Sequence, residues 1–225
     1  DDVMRLSLKL AEGQRLQHLA GQYVDILLSG NQRRSFSLST SPFSDELLQL
    51  HIRHVPGGFF TGHVFTKMQE KDLLRFQGPF GMFFLREDSD RPAILVAGGT
   101  GFAPIKGILE YAFAKGITRP LHLYWGVRAK RDLYLPELPH AWAREHGNFR
   151  FTPVLSEPRP EDQWNGRQGW VHEAVAKDYP DLSGCEVYAS GPPPMIDAIK
   201  GMVKKHGLPA DRLYYDSFEF AHANV

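Results

Sequence analysis

Apolar and polar residues alternate in short segments along the first third of the chain. The alternation covers residues 4–10, 22–28, 47–53 and 73–77, and a period of two predicts strands that bury one face. Turn residues at 28–31 and at Ser41-Pro42 separate these segments. Short alternating strands joined by turns predict a small antiparallel β-barrel.

From Pro92 onward the pattern changes to continuous apolar runs separated by segments of helical periodicity. The runs cover residues 93–97, 121–126, 149–155, 186–190 and 213–215. Apolar strands that alternate with helices are typical of a doubly wound parallel sheet. We therefore predict a two-domain α+β protein: an antiparallel β-barrel at residues 1–87, then an α/β doubly wound parallel-sheet domain at residues 92–225. The hydrophilic segment 86–92 would connect them.

Composition and charge exclude several classes of protein and of binding site. The 26 basic residues equal the 26 acidic ones, so no overall positive field attracts nucleic acid or a membrane surface. Cys185 is the single cysteine, which excludes a disulfide framework and a plant-type iron–sulfur cluster within this chain. No apolar segment has the length of a membrane span and no signal peptide is visible, so we expect a cytoplasmic protein. The chain begins with Asp1-Asp2 and not with Met, so we leave open whether a segment or domain precedes Asp1.

A glycine-rich turn follows the first apolar run of the second part. Gly98, Gly99, Thr100 and Gly101 come directly after the run, and Pro104 is expected to open the next helix. Such glycines let the backbone approach a pyrophosphate, whose charge is met by free amides at the helix N-terminus. The spacing is not the usual Gly-x-Gly-x-x-Gly, so a plain tight turn is the alternative.

A second turn, Ser190 to Met195 with three consecutive prolines, follows a later apolar run, and Met195 is expected to begin a helix. Ligands of open sheets collect at the carboxyl ends of the strands. Because two such turns are expected in one sheet, a nucleotide-binding site is favoured over a rigid loop that binds no ligand.

The first part carries residues suited to a flavin. Arg34 offers a guanidinium for phosphate, Phe36 an aromatic face and Ser37 a hydroxyl. Downstream, residues 56–61 lead into a predicted helix over 61–68 and offer a second amide-rich cradle with the Thr61 hydroxyl at its start. A hairpin or helix-entry turn is the alternative for Gly57-Gly58.

The sequence offers only weak evidence for other kinds of chemical site. Ten histidines are present, but without cysteine or carboxylate support their spacing predicts no metal site. We expect the four tryptophans, at 125, 142, 164 and 170, to serve packing.

Six motifs in this order resemble the ferredoxin–NADP reductase superfamily (the FAD-binding FR-type), over nearly the whole chain. The resemblance extends to the reductase components of bacterial oxygenases and to the CDP-6-deoxyglucoseen reductase type. The matching residues are Arg34-Ser35-Phe36-Ser37, His51-Ile52-Arg53 with Gly57-Gly58 and Thr61, Gly78-Pro79-Phe80-Gly81, the Gly98 to Pro104 loop, Ser190 to Met195, and Asp216-Ser217-Phe218-Glu219-Phe220.

The resemblance implies hydride transfer from NADH or NADPH to bound FAD, FMN being the less favoured flavin, and then release of single electrons. The acceptor would be an iron–sulfur protein or an N-terminal ferredoxin domain absent from this chain. The implied catalytic residues are Ser37, Thr100, Ser190 and Glu219. The implied cofactor-binding residues are Arg34, Ser35, Phe36, Ser37, His51, Ile52, Arg53, Gly57, Gly58, Thr61, Gly98, Gly99, Thr100, Gly101, Gly191, Pro192, Met195 and Phe220.

The chain departs from the family pattern at two positions. Phe36 stands where Tyr is common, which predicts weaker flavin binding, and Ser190 stands where Cys is common, which predicts differently tuned hydride transfer. Arg128, Lys130 and Arg131 follow the strand at 121–126 and could meet a 2′-phosphate, yet such charges also suit a solvated loop. NADH and NADPH are both left open.

Two other functions stay in view. One is a reductase that releases reduced flavin as a diffusible product, against which the phosphate-holding elements at Gly57, Gly58 and Thr61 argue. The other is a nucleotide-sensing module without activity, since a fold alone does not give a function.

Overall fold

The computed structural model describes residues 2–44 and 47–218 of the chain. Among the described residues before Pro92 there are five strands and one α-helix. They are β1 (Val3–Leu8), β2 (Tyr23–Leu27), β3 (Arg33–Ser37), β4 (Leu48–Arg53), α1 (Phe59–Thr66) and β5 (Arg75–Phe80). The helix begins two residues before the predicted Thr61.

The strands form two antiparallel sheets around one core. β1 pairs with β4, and β2 lies between β3 and β5, while a bridge between Leu38 and Leu50 links the two sheets. The predicted alternation is visible in β2, where Val24 and Ile26 are fully buried and Leu27 is exposed. The antiparallel architecture predicted from the period-two pattern is confirmed.

Within residues 92–218, the structure describes one six-stranded parallel sheet and four α-helices. The elements are β6 (Ala93–Gly98), α2 (Phe102–Lys115), β7 (Leu121–Val127), α3 (Glu137–Glu145), β8 (Phe149–Leu155), β9 (Arg167–Gln168), α4 (Val171–Asp178), β10 (Glu186–Gly191), α5 (Pro193–Lys205) and β11 (Leu213–Ser217). Both α2 and α5 begin two residues earlier than predicted. The two-residue strand β9 was not predicted, because two residues are too short to show a period.

The sheet order is β11-β10-β6-β7-β8-β9, with helices on both faces. Side chains of α2 and α3 pack on one face, and those of α4 and α5 on the other. All six residues of β6 are buried, as expected for a central strand covered on both faces. The chain runs outward from β6 to β9 and then returns to β10 on the other side of β6. The carboxyl ends of β6 and β10 therefore form the topological switch point.

Helix α2 joins the two parts of the chain. The buried Lys106 ammonium donates to the backbone carbonyl of Ser39, 2.9 Å away, just beyond β3. A Cβ at Gly107 would lie 3.1 Å from the Thr40 carbonyl oxygen and 3.2 Å from that of Leu38. A side chain at this position would crowd these carbonyl groups, because the helix packs directly on the backbone of the first part.

A buried ion pair anchors the connecting segment to the amino end of the sheet. Arg119 lies 2.8 Å from the Glu186 carboxylate, and its guanidinium also donates to the backbone carbonyls of Arg86 and Arg91. Burial alone raises the pKa of Glu186, but hydrogen bonds from Ser89, Tyr188 and Arg119 together hold it below its ordinary value. Among the helices that the structure describes, none is long and apolar enough to cross a membrane.

Candidate functional site

The two predicted glycine turns meet at the switch point. A Cβ on Gly101 would collide with the carbonyl oxygen of Ser190, and a Cβ on Gly98 would lie 2.5 Å from the sulfur of Met195. Gly191 also packs closely on Gly98, since its Cβ would lie 3.2 Å from the Gly98 Cα. The glycines thus let the two turns pack closely together at the carboxyl ends of β6 and β10. Open α/β sheets bind their ligands just outside these strand ends, and we call this region the crevice.

Gly99 is held in a left-handed conformation, with φ of 53°, which glycine adopts without steric cost. Its carbonyl accepts a hydrogen bond of 2.9 Å from the indole N–H of Trp125. On its other side lies Arg53 of β4, whose Nη1 would be 3.4 Å from a Cβ at this position. The first part of the chain therefore places a cation beside the glycine turn of the second part.

The Arg53 guanidinium is incompletely paired. Nε lies 3.3 Å from the Asp2 carboxylate, yet Nε and Nη2 are buried and neither forms a hydrogen bond with the described residues. A buried, unsatisfied guanidinium nitrogen costs free energy, and an anionic phosphate bound here would satisfy it.

Three polar side chains converge where the barrel meets the switch point. Ser190 of β10 lies beside Asp216 of β11 in the parallel register. The Ser37 hydroxyl, at the end of β3, donates a hydrogen bond of 3.1 Å to the Asp216 carboxylate. The Ser190 hydroxyl is fully buried and forms no hydrogen bond with the described residues. The arrangement places two predicted catalytic serines beside a carboxylate that sequence reasoning did not select, and only Ser37 is hydrogen-bonded to it.

Asp216 is unusual in its electrostatics. Burial raises the pKa of its carboxyl group, and the hydrogen bond from Ser37 opposes that rise only in part. The residue also lines a cleft of about 380 Å³ together with Tyr23 and Arg86. A half-buried carboxyl group with a raised pKa beside a cleft is a candidate proton carrier.

The strand β3 presents its predicted flavin residues on two faces. Arg34 and Phe36 lie on the half-buried face, where the Phe36 ring is 5.4 Å from that of Phe60. Ser35 and Ser37 lie on the other face, and the Ser35 hydroxyl donates to Asp25 over 2.6 Å. A flavin that contacts all four must therefore lie across the end of this strand.

The predicted phosphate cradle is a tight turn before α1. Gly57 has φ of 76°, and a Cβ at Gly58 would lie 2.6 Å from the hydroxyl oxygen of Thr61. That hydroxyl accepts from the amide of Val55 and donates back to the Val55 carbonyl. Thr61 thus shapes the turn, and the free amides at the start of α1 are the groups available to an anion.

His51 and Ile52 are placed differently from the other predicted cofactor-binding residues. Ile52 is fully buried in the barrel core. His51 lies at the junction of the two parts, with Nδ1 2.7 Å from the hydroxyl of Tyr134. Burial, with the nearby charges of Lys106 and Arg5, lowers the pKa of His51 to about 3, so the ring is neutral at pH 7. The structure therefore does not bring the side chains of His51 and Ile52 to the crevice.

The remaining predicted residues lie at the switch point or outside the described residues. Thr100 is half-buried in the glycine turn, and Pro192 and Met195 form the wall opposite Gly98. Glu219 and Phe220 lie outside the described residues. Asp216 precedes them in the same motif, and its place at the carboxyl end of a strand is the signal that could have identified it.

The basic residues after β7 are partly paired. Arg128 lies 3.4 Å from the buried carboxylate of Asp132, and Lys130 contacts the backbone carbonyl of Asp162. The side chains of Arg128 and Arg131 are 61% and 64% exposed. Both therefore stand at the carboxyl edge of the sheet with guanidinium groups accessible to a ligand.

Comparison with known proteins agrees with this geometry. An oxidoreductase FAD-binding domain matches residues 1–85, and an oxidoreductase NAD-binding domain matches residues 95–201. The chain belongs to the oxidoreductases that combine these two domains, with the fold of the ferredoxin–NADP reductases.

Three relatives illustrate the similarity. The chain is 40% identical to a CDP-6-deoxy-L-threo-D-glycero-4-hexulose-3-dehydrase reductase of Yersinia pestis, over 97% of this chain and 65% of the relative. It is 34% identical to the reductase component of a naphthalene 1,2-dioxygenase system of Pseudomonas putida, over 96% of this chain and 65% of the relative. The crystal structure of an Amycolatopsis cytochrome P450 reductase superimposes with a TM-score of 0.88 at 36% identity, over 96% of this chain and 65% of that one. The chain thus spans just under two thirds of each relative.

Proposed function

We propose that this chain is an NAD(P)H-dependent flavoprotein reductase that takes a hydride from a nicotinamide nucleotide onto bound FAD and passes single electrons to an iron–sulfur acceptor. The observation that carries the proposal is the hydrogen bond between Ser37 of the FAD-binding domain and Asp216 of the nucleotide domain, beside the buried Ser190. A hydride can pass only between two rings in contact, and here polar groups of both domains meet at the carboxyl ends of the strands, where open sheets bind their ligands.

The residues present fit the two cofactors. The unsatisfied nitrogens of Arg53 suit a phosphate, and the unpartnered hydroxyl of Ser190 suits a polar ring substituent. Arg34 and the amides after Gly58 would hold the flavin phosphates, while Gly98 to Gly101 and Gly191 would admit the nicotinamide nucleotide. Bound FAD supplies the chemistry, because it accepts two electrons with a hydride and can release them singly.

The side chains of the site would orient the cofactors and accept or donate protons. Ser37 is held by Asp216, so its hydroxyl cannot rotate freely. Ser190 is fully buried, which keeps bulk water from that side of the crevice. The raised pKa of Asp216 lets its carboxyl group gain or lose a proton nearer to neutral pH than an ordinary aspartate does, and the cleft beside it provides exchange with solvent.

The acceptor is inferred from the relatives. The Pseudomonas putida relative is named as a ferredoxin–NAD(P)+ reductase component of a dioxygenase system, which supports an iron–sulfur protein or an attached ferredoxin domain as acceptor. We keep residues 1–87 and 92–225 as the proposed extents of the two domains. We also propose a cytoplasmic location, because the pool of reduced nicotinamide nucleotides is found there.

The test is the visible absorption spectrum of the gel-filtered protein, followed by anaerobic addition of NADH and then NADPH. A yellow protein that one nucleotide bleaches, and that an added ferredoxin then re-oxidises in single-electron steps, is the expected result. A yellow protein that neither nucleotide bleaches would overturn the proposal.

A reductase that uses flavin as a diffusible substrate is the second candidate, and the same experiment separates it. Such a protein would elute colourless and oxidise the nucleotide only when free flavin is added. The turn at Gly57 and Gly58 favours bound flavin, because a diffusible substrate needs only its ring to be recognised. A nucleotide-sensing module would show binding without any oxidation.

A further inference from the structure

Trp125 has a hydrogen-bonding role as well as the predicted packing role. It is fully buried near the end of β7, and its ring stacks on Phe102 with centroids 4.0 Å apart and planes 17° apart. Tyr134 packs edge-on against the same ring at 5.2 Å. With Phe102 stacked on it and Tyr134 packed against it, the indole has one orientation, and its N–H is aimed at the Gly99 carbonyl oxygen, 2.9 Å away.

The Gly99 carbonyl determines the direction of the following amide. A trans peptide unit is planar, and its C=O and N–H groups point in opposite directions. The Gly99 oxygen also accepts from the amide of Phe102 at the start of α2. Because Trp125 and Phe102 draw this oxygen toward the core, the N–H of Thr100 must point away from the core, on the side of the crevice.

A second set of contacts reaches the same turn from the FAD-binding domain. Nε2 of His51 lies 3.3 Å from the Gln49 side-chain oxygen, which can only accept a hydrogen bond. We therefore place the ring proton on Nε2, so that Nδ1 of the neutral ring accepts from the Tyr134 hydroxyl at 2.7 Å. Tyr134 in turn packs on Trp125. Through these contacts the orientation of the indole is linked to β4, the strand that also carries Arg53.

We propose that Trp125 is a positioning residue for the nicotinamide nucleotide: its indole N–H fixes the Gly99 carbonyl, and so aims the Thr100 amide into the crevice. This inference rests on the proposed function, and it adds a residue that does not itself contact the cofactor. The glycine turn would be ordered before the nucleotide binds, so the bound nicotinamide would be held in the orientation that hydride transfer requires.

The test compares Trp125→Phe with Trp142→Phe. The first keeps a ring stacked on Phe102 and removes the indole N–H, while the second makes the same change at another buried tryptophan whose ring packs near Phe102 but not on Gly99. Site-specific replacement of Trp125 by 3-benzothienylalanine, which has the same bicyclic shape without the N–H, covers the case in which Trp125→Phe folds poorly.

Two readouts are needed, one of them independent of activity. Amide hydrogen exchange of the nucleotide-free protein should become about tenfold faster in the peptide that contains residues 98–102, as expected for the loss of one buried hydrogen bond. In stopped-flow reduction by NADH or NADPH, the limiting rate should fall roughly tenfold with a smaller change in apparent Kd, because the pyrophosphate contacts stay in place.

The outcomes separate this inference from the proposed function. The inference would be overturned if amide exchange of residues 98–102 were equally fast in the Trp125 and Trp142 variants. It would also be overturned if exchange became faster in the Trp125 variant while the limiting rate of flavin reduction stayed unchanged. If neither nucleotide reduces the flavin of the unsubstituted protein, the proposed function itself fails, and the exchange experiment then reports only on the loop.

Discussion

Replacement of Asp216 by Asn should make the protein more stable and less active. The native carboxyl group has a pKa raised by burial, so its ionised form destabilises the folded protein, by about 1.4 kcal/mol for each unit of the rise. Asn keeps an oxygen that accepts from Ser37 but carries no charge. We therefore expect the variant to gain on the order of 1 kcal/mol at pH 7.

The sign of the pH dependence follows from the raised pKa. Near pH 3 the carboxyl group is protonated in the folded and unfolded states, so the charge contributes no difference between variant and parent. As the pH rises through the unfolded and then the native pKa, the parent loses stability that the variant keeps. The advantage of Asp216→Asn should therefore grow from acid to neutral pH and then stay constant.

The assay pairs urea unfolding at several pH values with stopped-flow reduction of the flavin. The rate should fall about 100-fold, at the lower end of what a positioned acid or base contributes. Asp25→Asn is the matched control, because Asp25 also accepts from a serine of β3. A variant that is destabilised at pH 7, or one as fast as the control, would refute the reasoning.

Three further predictions concern the crevice, the core and the nucleotide. Gly101→Ala should weaken binding of NAD+ at least tenfold by calorimetry, because its Cβ collides with the turn after β10. Gly201→Ala, in open space on α5, should leave that affinity unchanged. Arg119→Met should cost about 3–5 kcal/mol in urea unfolding, because it leaves Glu186 buried without its cation; a loss below 1 kcal/mol would contradict this. Arg131→Ser should lower the ratio of kcat/KM for NADPH to kcat/KM for NADH in steady-state kinetics. An unchanged ratio would show that Arg131 does not contact the 2′-phosphate.

Much of the architecture follows from local pattern. The run at residues 93–97 is apolar at every position, and it forms a central strand buried on both faces. Val24 and Ile26 alternate with more exposed neighbours because one face of β2 meets the barrel core. Helix starts were less well predicted, since α2 begins at Phe102 and not at the expected Pro104.

The sequence by itself determined the order of the two domains, the strands within them and the two glycine turns, because periodicity and glycine placement are local properties of the chain. Only the tertiary structure decided which side chains meet. Ser37 and Asp216 are 179 positions apart, and Trp125 reaches Gly99 from a neighbouring strand. Such contacts depend on strand order and on how the barrel packs against α2, and no short-range pattern encodes either.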